Sequence, residues 1–192
     1  MLVAYSRNAS EMGHLAETIS TGRRAILLDS LNFHVYRGVG IVLTGVRQYA
    51  EAVTVLNTAI SLEPTYVRNY ALLGLAHYLM GDYEAARSDC EGAATDDMGE
   101  YCLTLVYHKL GRHAESETLL RKMQSANGDD GAMTYACVYA QWGDKAKALE
   151  WLETAMRTRN AGLSDLKASP ELDPLREEPR FQAIERALNF PT

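Results

Sequence analysis

Between residues 67 and 94 the chain alternates apolar and polar positions with a helical period. In VRNYALLGLAHYLM (67–80), Tyr70, Leu73, Ala76 and Leu79 recur every three residues and follow one helical face. Gly81 and Asp82 supply a turn, and YEAARSDCEGAA (83–94) carries Ala86, Cys90 and Ala93 on one face of a second helix. The pattern predicts two helices packed antiparallel. Gly74 breaks the apolar stripe, where glycine costs about 1 kcal/mol relative to alanine. A close approach of the second helix, with Gly74 opposite Ala86, accounts for it; alanine would then be nearly tolerated at 74 and leucine would not.

The same pattern recurs along the chain. Shifted by 34 residues, Tyr36, Gly40, Tyr49, Ala52 and Ala59 fall on Tyr70, Gly74, Tyr83, Ala86 and Ala93, and AILLDS (25–30) overlays AISLEP (59–64). Gly81 recurs as Gly111 and then as Gly143. The matching positions are small residues and aromatics, the ones that packing restricts most. An ordinary helical bundle with incidental glycines is the alternative. A fixed period of this size points instead to stacked helix pairs.

The unit resembles the tetratricopeptide repeat. Tyr70, Leu73, Gly74 and His77, then Ala86, Cys90 and Ala93, stand at that family's signature positions, and Tyr36, Val39, Gly40, Leu43, Ala52, Leu56 and Ala59 do so one unit earlier, closed by Pro64. Two further units are more degenerate: Leu103, Thr104, Tyr107, Ser116, Leu120 and Met123, then Tyr135, Ala136, Tyr139, Ala148, Leu152 and Ala155. Neither has the closing proline, and the turn before Glu100 reads about four residues short. The resemblance implies an all-α fold, a right-handed solenoid of antiparallel helix–turn–helix repeats. The expected pairs are 1–32, 33–66, 67–96, 97–128 and 129–162.

The two ends differ. With a turn at Gly13, residues 1–12 read as a first helix and 14–28 as a second. The first lacks an N-terminal capping box, so the chain reads as the C-terminal part of a longer protein; a complete small repeat protein is the alternative. Residues 163–192 abandon the repeat and carry four of the five prolines. Pro179 suits the first turn of a helix, with Phe181, Ile184, Ala187 and Leu188 on one face and Pro191 ending it. ELDPLREEPRF resembles the closing element found after such repeats in bacterial cyclase-, kinase- and transcription-regulator-linked members of the family. It predicts a capping segment over 163–192.

Composition narrows the function. A net charge of −6 and a pI near 5.4 argue against nucleic acid as the ligand, since phosphate binding needs clustered Lys and Arg. The longest apolar run, GVGIVLTGV (38–46), is too short to cross a membrane. Cys90, Cys102 and Cys137 are an odd number without a C-x-x-C pair. They read as no disulfide framework and suit a reducing, cytoplasmic setting. GVGIVLTG lacks the preceding strand of a nucleotide loop. His108 and His113 stand five apart rather than three or four, which argues against a metal site. Asp96–Asp97 and Asp129–Asp130 read as helix caps. The expectation is therefore a non-catalytic chain with no metal and no cofactor.

Interaction remains. The resemblance implies that the first helices of successive units line a concave face. The inward positions singled out there are Arg37, Ile41, Arg68, Leu75, Tyr78, Tyr101, Leu105, His108 and Met133. Relatives that grip the C-terminal carboxylate of heat-shock chaperones place Lys and Asn where Arg37, Ile41 and Leu72 stand here, so that clamp is not implied. An apolar face with two arginines at one end predicts a protein or peptide partner docked as a helix or extended segment. It would be the regulatory part of a larger signalling or transcription protein. The alternative is an architectural module that self-associates through the exposed ends of its array.

Overall fold

Turn chemistry sets the register of the helices. Gly81, Gly111 and Gly143 all take positive φ, between 76° and 86°, the left-handed conformation that stops a helix and that glycine adopts without a Cβ clash. Arg47 holds the same place in the first turn at φ 63°. Asp82 and Asp144 follow two of these glycines and cap the next helix, accepting hydrogen bonds from the backbone N–H of Ala85 and Lys147.

The computed structural model describes residues 15–188. The helix expected over 1–12, its turn at Gly13 and the stop at Pro191 lie outside them. In chain order the helices are α1 (Leu15–Leu28), α2 (Phe33–Gly45), α3 (Tyr49–Leu62), α4 (Arg68–Met80), α5 (Tyr83–Gly92), α6 (Asp97–Lys109), α7 (His113–Asn127), α8 (Ala132–Trp142), α9 (Lys145–Thr158) and α10 (Pro179–Leu188). There is no strand among the described residues, so the fold is all-α. No helix among them is long and apolar enough to cross a membrane. GVGIVLTG is helical interior, not a loop.

The chain forms two units, one up to Leu103 and one from Thr104. In the first, Val39 and Leu43 of α2, Ala52 and Leu56 of α3, and Leu73 and Ala76 of α4 make a common core. The small residues act as the repeat predicts, with one correction. A Cβ at Gly40 would lie 2.6 Å from the Leu56 side chain, and one at Gly74 would lie 2.4 Å from Cys90 Sγ and 3.0 Å from the Ala86 carbonyl oxygen. Gly74 therefore makes room for the Cys90 sulfur as well as for the backbone at Ala86. Alanine at 74 is not a free fit.

The shortfall before Glu100 also has a different origin. Helix α5 has 10 residues where α3 has 14, so one helical turn is missing from α5 itself. Helices α5 and α6 come together tightly: a Cβ at Gly99 would fall 1.9 Å from the Ala93 carbonyl oxygen. Across this joint Cys90 and Cys102 form a disulfide, Cα–Cα 5.8 Å. The expectation of no disulfide is corrected here. Helix packing, not local spacing, brings two cysteines twelve residues apart together.

In the second unit Tyr135 is fully buried, donates from its hydroxyl to the Met123 carbonyl (2.9 Å) and meets Trp151 edge-on. After α9 the chain runs through 3-10 turns at Ala161–Asp165 and Pro170–Leu175 into α10. This stretch buries Leu163, Leu166, Leu172, Leu175, Phe181 and Ile184. Ala187 is exposed, so the apolar face of α10 is narrower than its sequence implies. Arg176 ties the stretch to itself, pairing with Asp173 and donating to the carbonyls of Lys167 and Ser169. Pairs Lys145–Glu178 and Arg180–Glu153, each at 2.7 Å, attach it to α9.

Candidate partner-binding face

Helices α2, α4 and α6 carry the positions of the first unit expected to face inward. On α2, Arg37 and Ile41 are one turn apart and half-buried. Arg37 Nη1 donates to Tyr66 Oη (2.7 Å), and its guanidinium carbon lies 5.2 Å from the Tyr66 ring centre. Its buried Nε has no hydrogen-bond partner, and among the described residues no carboxylate pairs with it. Phe33 extends this corner, with its ring 5.2 Å from Tyr66 and 3.9 Å from His34. The result is a half-exposed aromatic cluster around a cation. Sequence reasoning misses its members Phe33 and Tyr66, because the repeat signature marks neither position.

Arg68 is different. It pairs with Asp96 at 3.2 Å, and Asp96 also accepts from the Met98 backbone N–H, opening α6. Its charge is used inside the unit, which corrects the expectation of two equivalent anchoring arginines. His77, expected to pack between helices, bridges α4 to α5 through a 2.7 Å contact with Asp89. Burial pushes the Asp89 carboxyl upward, against the opposing effect of His77.

The remaining positions divide sharply by burial. Leu75, Tyr78, Tyr101, Leu105 and Met133 are all buried, at most 9% exposed. They pack rather than project, and the expectation of an exposed aromatic and methionine row does not hold at these five. The physical reason is local: large side chains on neighbouring helices fill the space between them, as where the Tyr78 ring sits 5.6 Å from Tyr83.

In the second unit, Met133, Cys137 and Gln141 share one face of α8. A Cβ at Gly162 would lie 2.9 Å from the Met133 side chain, and Gln141 Nε2 donates to the Glu171 carbonyl at 2.6 Å. This face is thus covered by the chain's own segment 161–175.

His108 sits elsewhere, stacked on Trp142 (centroids 4.8 Å, planes 10° apart) and edge-on to His113 at 4.6 Å. Burial, then the neighbouring His113 and Lys109, holds its imidazole below the ordinary range. The stack walls an open cleft of about 370 Å³ whose other walls include Glu117, Arg121, Tyr139 and Lys147. No triad of His, Cys, Asp or Glu able to hold a metal occurs among the described residues.

Known proteins resemble the chain in its helix pairs. Residues 48–81 match a family model for the TPR repeat, and residues 132–161 match one for the tetratricopeptide repeat. Anaphase-promoting complex subunit 3 of Schizosaccharomyces pombe is 25% identical over 117 residues, covering 58% of this chain. The chain spans only 18% of that protein's length. A solved tetratricopeptide repeat protein from Parabacteroides merdae is similar in fold, with a TM-score of 0.54 and 14% identity over 100% of this chain and 79% of that one. MamA gives a TM-score of 0.53 at 19% identity, covering 77% of this chain and 90% of its own. YrrB, a TPR protein with an unusual peptide-binding site, gives 0.50 at 15% identity over 88% and 91%. The helix pairs, their small-residue contacts and these matches agree: the chain carries tetratricopeptide repeats, matched at 48–81 and 132–161, in an all-α fold similar to that of solved repeat proteins.

Proposed function

We propose that the chain is a non-catalytic interaction module that docks a segment of a partner protein on the inward side of α2, around Arg37 and Ile41. Repeats of this family are scaffolds for protein–protein interaction. The observation that carries the placement is the Arg37–Tyr66–Phe33 corner: a half-buried guanidinium with unused hydrogen-bonding capacity beside two aromatic rings. Aromatic residues and arginine are the types that most often anchor interfaces. Arg68 on α4, paired with Asp96, contributes its aliphatic stem and the rim of its ion pair. The module acts in the cytoplasm as the regulatory part of a larger signalling or transcription protein.

The test is recovery of partners from the native cells with Arg37→Ala plus Ile41→Ala, beside Glu117→Ala on α7 as control. The double variant should stay folded and lose a partner that the control keeps. Retention of every partner by a folded double variant would overturn the placement. Tyr101 and Leu105 are unsuitable for this purpose, because truncating buried side chains tests packing.

A second reading, architectural self-association, is favoured by Leu27, Leu28 and Leu31, which are 83%, 67% and 82% exposed at the end of α1. Sedimentation over a concentration range separates the two. A constant monomer mass supports docking of a partner, and a mass that rises and then falls back with Leu28→Ser plus Leu31→Ser supports self-association.

A further inference from the structure

We propose that the Cys90–Cys102 pair is a reversible thiol–disulfide staple, closing by oxidation the one joint of the first unit that lacks a helical turn. In the other units the place of Cys90 is held by leucine. Leu56, Leu120 and Leu152, on α3, α7 and α9, are nearly or fully buried, and Leu56 packs against Gly40 of the preceding helix. The residues equivalent to Cys102 are Gly38, Leu72 and Thr134. Cys90 thus departs from the leucine of the other units, and it meets Cys102, at a position where the repeat holds no fixed residue, at the joint where α5 is short. A truncated helix offers its neighbours less apolar surface, and a cysteine fills less of a core than a leucine. A short helix and a small core side chain coincide with one covalent link.

The surroundings make exchange of this bond depend on movement of the helices. Both sulfurs belong to fully buried residues, so a thiol reagent reaches them only when the α5–α6 joint opens. The joint is short, four residues from Ala93 to Asp96. It is held by the Ala93–Gly99 approach and by Asp96, which pairs with Arg68 and caps α6. In the cytoplasmic setting proposed above, on which this inference rests, disulfides in proteins of ordinary organisms are mostly transient and redox-sensing.

The chemistry balances with a small-molecule disulfide as oxidant, such as glutathione disulfide. The thiolate of one cysteine attacks a sulfur of the oxidant, breaking its S–S bond and releasing one thiol. The second cysteine's thiolate then attacks the protein sulfur of that mixed disulfide, forming Cys90 Sγ–Cys102 Sγ and releasing the second thiol. Two electrons pass from the cysteines to the oxidant, and their two protons end on the two released thiols. A dithiol reverses both exchanges.

The test uses the full chain, equilibrated with glutathione disulfide or with millimolar dithiothreitol. Differential alkylation with peptide mass spectrometry reads the bond, a thermal melt reads stability, and hydrogen exchange reads residues 93–102. The oxidised chain should yield a linked Cys90–Cys102 peptide. The reduced chain should alkylate at both positions, melt roughly 5–10 °C lower and exchange faster across 93–102. Cys102→Ala and Cys90→Ala should each melt at a temperature that no longer responds to reductant. Both cysteines remaining alkylatable after oxidation would overturn the proposal. So would a bond that survives dithiothreitol in the folded protein, or an equal response of the melt in parent and variants.

Discussion

Helix α2 and helix α8 present equivalent positions of the repeat, yet they end in opposite conditions. Arg37 and Ile41 on α2 correspond to Met133 and Cys137 on α8. The α8 pair is buried, and the chain's own segment 161–175 lies on that face. The α2 pair is half-exposed beside an aromatic cluster. From this difference we propose that the repeat supplies a receptive face, and that the chain downstream of a unit decides whether this face is filled. Among the described residues after α9, a leucine- and proline-bearing segment, and not a helix pair, lies against Met133 and Gln141 of α8. We propose that this segment is the cap of the array, a need common to stacked repeats. It also shows how such a face holds an irregular stretch of chain, with a side-chain amide gripping a main-chain carbonyl.

The sharpest way to break this contrast is to loosen the covering. Leu172 is fully buried, and Leu172→Ala should cost about 2–5 kcal/mol. Hydrogen exchange should rise along α8 and α9, with protection of α2 and α3 unchanged. Equal loss of protection in both units would show that the segment does not serve the second unit in particular.

Next in size is the close contact in the first unit. Gly74→Leu should cost about 1–3 kcal/mol or more, since it overpacks a filled core. Gly74→Ala should destabilise measurably too, because its Cβ would meet Cys90 Sγ and the Ala86 carbonyl. A denaturant titration of both variants checks this; an alanine variant as stable as the parent would mean that α4 and α5 can separate without loss.

A smaller gain is expected at the first turn. Arg47 adopts the left-handed conformation that glycine takes in the three later turns. Arg47→Gly should stabilise the first unit by up to about 1 kcal/mol, by removing the Cβ strain of that conformation. No change in the melt would show that the arginine side chain offsets the strain.

The smallest effect is a pH dependence of the second unit. The folded His108 imidazole titrates below its ordinary range, so the unfolded chain binds the proton more readily. The contribution of neutral His108 to stability is therefore present above the ordinary imidazole pKa and is lost as pH falls through the lowered folded value. His113, Lys109 and Glu117 surround it, and the effect should vanish in His108→Gln. Trp142 fluorescence tracks the titration directly, because its indole stacks on the ring that gains charge.

Much of the fold is legible in the chain because packing restricts it in a periodic way. Gly40, Gly74, Ala52 and Ala86 repeat at positions where helices touch, and glycine turns punctuate the pairs. The disulfide is not legible, because it arises where one helix is a turn short and two cysteines meet across a joint. Nor is the burial of Tyr78, Tyr101, Leu105 and Met133. The period identifies which way a side chain points, but not what stands in front of it. Arg37 and Arg68 look alike in sequence, and only the place of Asp96 in space separates them.

Photocrosslinking in the native cells tests the central contrast most directly, with a photoreactive leucine analogue at position 41 and a photoreactive methionine analogue at position 133. The account predicts a crosslink from position 41 to another protein, and from position 133 to residues 161–175 of the same chain. A partner protein captured at position 133, with none at position 41, would contradict it.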